Sequence, residues 1–168
     1  MSSPILRPLP DSQHELLAAA ADVAENSLFT IADAADEAAF KESAAAVDAN
    51  RWLHASVRFA GPSVGFLALT LPEPLARRLC TAFSGAPSPE EIAAGDLVDF
   101  TGELANMMCG AWLTRASKQE SFNVEPPRVV RGGPDRAGQV PAEASQTFYL
   151  AIDETPVKLE FGQGAAHV

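Results

Sequence analysis

From Asp99 to Gly110 the chain reads Asp-Phe-Thr-Gly-Glu-Leu-Ala-Asn-Met-Met-Cys-Gly. On a helix, at about 100° per residue, Asp99, Glu103, Asn106 and Gly110 fall along the middle of one stripe, which also takes in Gly102, Leu113, Thr114 and Ser117. Leu97, Val98, Phe100, Leu104, Met108, Ala111 and Trp112 fall on the opposite side and form the expected core face. Glu103 supplies a charged acceptor. Asn106, one turn on, supplies a neutral amide that both donates and accepts hydrogen bonds. Gly102, Asn106 and Gly110 are four apart, so the amide has a glycine one turn above and one turn below it. Glycine inside a helix costs about 0.5–1 kcal/mol relative to alanine. A surface on which another molecule docks closely would explain two of them. The other explanation is crowding against a neighbouring element of the same domain, with Glu103 and Asn106 as solvated side chains.

Other reactive groupings are weaker. His14, His54 and His167 are far apart and lack metal-ligand spacing. Asp96, Asp99 and Glu103 suggest a carboxylate-dependent metal hydrolase, but offer too few convergent ligands for a metal centre. Tyr149 and the two tryptophans form no stacking platform for bases. There is no phosphate-cradling loop, nucleophile elbow or dinucleotide fingerprint. Cys80 and Cys109 lie within apolar helical patterns and read as buried free thiols.

The elements that must position the stripe follow from periodicity and turn chemistry. Asp11 can cap a helix running to about Phe29. The Ala- and acid-rich piece from Thr30 to Asn50 has weak periodicity and reads as a frayed helix or a mobile connection. Residues 52–59 and 64–71 flank Gly61 and Pro62 as a β-hairpin. Residues 74–83 form a short helix with Gly85 placed to end it. Ser88, Pro89 and Glu91 carry the signature of a further helix start. The longest helix is expected over 96–118, followed by a strand at 128–131 and a loop over 132–144. Residues 147–152 and 157–161 alternate around Asp153 to Pro156 as a second hairpin.

A chain of 168 residues, 47% apolar and 20% charged, suits one folded domain, with no run approaching the roughly 20 apolar residues of a membrane span. The N-terminus lacks the apolar segment of a signal peptide, so a cytoplasmic protein is expected. A formal charge of −10 repels nucleic-acid phosphates and anionic lipid, which leaves a protein with basic features as the expected partner.

The segment that opens Asp99-x-x-x-Glu103-x-x-Asn106 resembles the signature of the CheC/CheX/FliY chemotaxis phosphatases, and its Gly102-Glu-Leu-Ala-Asn-Met107 core resembles the CheX type. The hairpin around Gly61 and Gly65, the Leu71-Pro-Glu-Pro-Leu-Ala76 helix ending at Gly85, and the strand near Pro127 to Gly132 keep that family's order. The likeness covers about residues 10–162 of a single domain spanning 1–168. Pro127 lies slightly nearer to Asn106 than the family's downstream proline does, and residues 30–50 depart from the family.

The resemblance implies an α/β (α+β) fold, a mostly antiparallel sheet covered on one face by two long helices. It implies removal of the aspartyl phosphate from a CheY-like response regulator. Asn106 would orient the attacking water and Glu103 would pair with the regulator's lysine. Asp99, Gly102 and Gly110 would meet the partner, Asp99 alternatively serving the helix dipole. No metal or cofactor would belong to the chain itself, the Mg2+ being the regulator's, and a homodimer through the sheet is expected. The rival of the same fold is a non-catalytic module that binds a phosphorylated regulator or a flagellar-switch component.

Overall fold

In the computed structural model, residues 12–116, 118–135 and 146–165 are described. The expected cap at Asp11, Ser117, His167 and most of the loop at 132–144 lie outside the described residues.

The sheet is antiparallel throughout and built largely from two hairpins. Strands β2 (Trp52–Ala60) and β3 (Ser63–Pro72) pair along their length, from Trp52 opposite Pro72 to Ala60 opposite Val64. Strands β6 (Gln146–Ile152) and β7 (Thr155–Ala165) are joined by Asp153 and Glu154, both with positive φ (48° and 62°). Two successive left-handed residues match the twist of the flanking strands, as in the commonest two-residue hairpins. The short strands are β1 (Ala32–Ala34), β4 (Asn123–Val124) and β5 (Arg128–Gly132). The strand order is β1-β6-β7-β3-β2-β4, with β5 also on the free edge of β2.

Alternation decides which face is covered. Leu53, Ala55, Val57 and Phe59 of β2, Leu67, Leu69 and Leu71 of β3, and Val157, Leu159 and Phe161 of β7 all enter one core. That face carries helices α1 (Ser12–Ser27) and α4 (Ala94–Ala116). Leu16, Ala20 and Val23 of α1 and Leu97, Leu104, Met108 and Trp112 of α4 are its buried side chains. Arg115 of α4 donates to Asp22 of α1, tying the two helices together near one end. This is the α+β layering expected from the sequence.

Helix α3 (Glu73–Ser84) starts where Pro72 stops β3 and ends at Gly85, whose φ of 71° is left-handed. Arg77 and Arg131 both donate to the buried Glu73 carboxylate, at 2.9 and 2.7 Å, pinning α3 to β5. Burial alone would raise the Glu73 pKa, but those two hydrogen bonds and the two positive charges outweigh it and hold the carboxyl below its ordinary value.

Two expectations are corrected. Residues 30–50 are not a frayed connection: they form edge strand β1 and helix α2 (Glu37–Ala45). Asp36 caps α2 by accepting from the Ala39 amide at 2.8 Å. Phe40, the buried side chain of α2, packs against Trp52 and Tyr149, with ring centroids 5.6 and 5.4 Å away. One aromatic anchor leaves no helical periodicity to detect. The helix expected from Ser88 is a single 3-10 turn, Pro89–Glu91, because the Ser88 side chain makes no capping bond.

Candidate functional site on helix α4

Helix α4 is positioned by its apolar side and by what lies beside it. Leu97, Phe100, Leu104, Met108 and Trp112 are buried as expected, whereas Val98 and Ala111, expected in the core, are half-buried. The outward stripe is narrower than the wheel suggested, since Gly102 and Leu113 are buried. What remains open is Asp99, Glu103 and Thr114, all exposed, with Asn106 and Gly110 half-buried between them.

The two glycines serve different ends. A Cβ added to Gly102 would stand 2.9 Å from Pro127 Cγ and 3.3 Å from Val129 Cγ2. Gly102 thus admits the chain that enters β5, which is the crowding explanation. A Cβ on Gly110 would meet nothing within 4 Å among the described residues, so its bareness faces open space. The wheel could not separate them, because the strand crossing Gly102 comes from more than 20 residues downstream.

Asn106 is the unusual polar group of the stripe. Its Oδ1 is shielded and accepts no hydrogen bond from the described residues. A buried acceptor left without a donor costs about 1–3 kcal/mol. Glu103, one turn back, is exposed. The pair therefore sets a free carboxylate beside an amide with unused hydrogen-bonding capacity on one rigid helix. Asp99 lies in the second turn of α4, since the helix begins at Ala94, two residues before the expected start. Asp96 occupies the first turn, where the dipole acts. That leaves Asp99 as a surface carboxylate in line with Glu103.

Outside the stripe the reactive groups are accounted for. Among the described residues, no three His, Cys, Asp or Glu side chains converge as a metal-binding group, Asp96, Asp99 and Glu103 included. His54 is buried in the outer face, its Nε2 2.8 Å from the Gly133 carbonyl oxygen and its Nδ1 3.0 Å from Thr70 Oγ1. A carbonyl only accepts, so Nε2 carries the hydrogen. Cys80 and Cys109 are both buried free thiols. Burial pushes Cys109 up to about 12, far from a reactive thiolate. No helix among the described residues is long and apolar enough to cross a membrane.

Sequence reasoning missed the wall beside the stripe. Phe122, Val124, Pro127 and Val129 stand beside α4 where the chain returns past it, and although Val129 fell in an expected strand, nothing in the sequence set that strand against Gly102.

The family described as chemotaxis phosphatase CheX matches residues 53–150, which include all of α4. No curated protein sequence matches the chain. Solved structures share the fold at low identity. A CheX from Vibrio vulnificus superposes with a TM-score of 0.72 at 15% identity, covering 94% of this chain and 99% of its own. A CheC-like superfamily protein from Shewanella sp. PV-4 gives 0.69 at 18%, covering 94% and 100%. A chain of the CheX-CheY-BeF3-Mg2+ complex from Borrelia burgdorferi gives 0.60 at 14%, covering 92% and 98%.

Proposed function

This chain belongs to the CheX family of chemotaxis phosphatases, and on that premise we propose that it accelerates loss of the aspartyl phosphate from a CheY-like response regulator. The observation that carries the reading is the pairing on α4 of the exposed Glu103 with Asn106, whose shielded Oδ1 has no partner among the described residues.

Hydrolysis of an aspartyl phosphate needs a water held in line with phosphorus, while the charge on the phosphoryl oxygens is balanced. An amide fits the first task. With its side chain turned outward on docking, Asn106 accepts one hydrogen of the water through Oδ1 and can donate through its amino group, without setting a negative charge beside an anion. Glu103 holds the regulator by ion-pairing with the lysine of its active site. Three residues of separation on one helix fix both groups at once, so that docking and water placement are a single event. Gly110 and Asp99 belong to the same contact surface, Asp99 facing basic groups of the regulator. The metal that balances phosphoryl charge is the regulator's Mg2+, in keeping with a CheX-CheY complex that holds BeF3 and Mg2+. The protein acts in the cytoplasm as a homodimer joined through its sheet.

The test is phosphate release from a phosphorylated CheY-like regulator with Mg2+ present. Wild type is expected to accelerate it, Asn106→Ala to abolish the acceleration, and Glu103→Ala to demand more protein for the same rate. Binding of the phosphorylated regulator without acceleration would reduce the protein to a non-catalytic module and refute the reading.

A further inference from the structure

The stripe continues past Asn106 into a recess. One turn further, about 6 Å along the axis, Gly110 forms part of a depression of about 180 Å³ lined also by Leu113, Thr114, Glu120, Phe122 and Val124. Its walls are fixed. Leu113 is buried, and Phe122 packs edge-on against Phe59 with centroids 5.6 Å apart. The Thr114 hydroxyl donates to the Gly110 carbonyl at 2.9 Å, which spends its hydrogen within the helix. Val124 is an exposed apolar side chain at the mouth. Glu120, on the rim, is exposed and adds a carboxylate to those of Asp99 and Glu103.

Among the described residues nothing packed against the helix requires the glycine, since a Cβ at 110 would meet no neighbouring element within 4 Å. A glycine kept in a helix interior despite its cost, beside preformed apolar walls, is the arrangement expected where a guest side chain enters. An apolar cavity of about 150 Å³ holds a benzene ring, so this one has room for a leucine, isoleucine, methionine or phenylalanine side chain.

Resting on the reading that a phosphorylated regulator docks over Glu103 and Asn106, we propose that the recess beside Gly110 receives an apolar side chain of that regulator, flanked by a basic group that faces Glu120. The recess is continuous with the Glu103–Asn106 surface, and its acidic rim complements basic and not acidic partners. An anchor one turn from Asn106 supplies affinity and register without reaching the phosphoryl group. Its effect therefore falls on binding and leaves the chemical step alone.

The experiment uses a CheY-like regulator activated with beryllofluoride and Mg2+ for affinity, and the phosphorylated regulator for KM and kcat. Gly110→Leu fills the recess, and Val124→Asp places a charge at its mouth. Leucine is a stronger helix former than glycine and has open space at 110, so Gly110→Leu should melt no lower than wild type. Affinity should fall about tenfold in both variants, the loss of an interface anchor, with KM rising in step and kcat held within about twofold. Unchanged affinity in both variants would overturn the proposal, as would a fall in kcat alone or a change in oligomeric state with regulator affinity intact. If wild type binds the activated regulator without hydrolysing it, weaker binding by the variants still supports the recess while the catalytic reading fails. If wild type does not bind it, both fall.

Discussion

Asn106 carries an internal tension between stability and function. Its shielded Oδ1 finds no donor among the described residues, an arrangement that costs the free protein about 1–3 kcal/mol and that turning the side chain outward to a docked partner's water can relieve. Replacing the side chain should therefore separate the two properties. Asn106→Ala is expected to unfold at or above the wild-type temperature in a thermal melt, while its catalysed rate drops by about 10² or more, as for loss of a group that positions a reactant. Glu103 works by charge at an exposed position. Glu103→Gln should raise KM about tenfold, the worth of one charge-assisted hydrogen bond. Added salt should weaken binding by wild type more than by the variant, which a titration at two ionic strengths would show. At this scale the sequence was informative, because spacing alone put Asp99, Glu103, Asn106 and Gly110 on one side of a helix. It could not show that Oδ1 of Asn106 is shielded, which depends on atoms brought in by the fold.

Helix α4 is legible where its neighbours repeat its own period and opaque where they do not. Gly102 and Gly110 look alike in the sequence, yet one is pressed against Pro127 and the other open. Gly102→Ala should destabilise the protein by about 1–3 kcal/mol through overpacking, whereas Gly110→Ala should stabilise it by about 0.5–1 kcal/mol, both read by urea denaturation. The second long helix, the two hairpins and the Gly85 stop were legible from alternation, 3.6-residue spacing and turn residues. Helix α2 was not, since its one fully buried side chain is Phe40, held by Trp52 and Tyr149 from strands far apart in the chain. The Glu73 carboxylate joining α3 to β5 was equally hidden, as Arg77 and Arg131 converge on it only after folding. Because its folded pKa is lowered from 4.5, the stability it gives is fully present above the unfolded value and is lost as pH falls through the folded one. Glu73→Gln should accordingly be less stable than wild type at pH 7, by about 1–3 kcal/mol, and the gap should close as both are titrated below about pH 4.

The whole molecule is a scaffold for one exposed helix face. The antiparallel sheet and α1 bury the apolar side of α4 and leave its acidic side outward, on a chain whose net charge of −10 favours a basic partner surface. The layered architecture was what the family resemblance implied, while the return of residues 122–129 past α4 required the structure. If the metal belongs to the regulator, chelation should stop catalysed phosphate release and leave the melting temperature of this protein unchanged. The most direct test of the central claim is a single-turnover measurement with Asn106→Ala in saturating excess over the phosphorylated regulator. The account predicts that the regulator is bound yet loses phosphate at its own unassisted rate. Acceleration equal to wild type at saturation would contradict it, because the water would then be positioned by something other than Asn106.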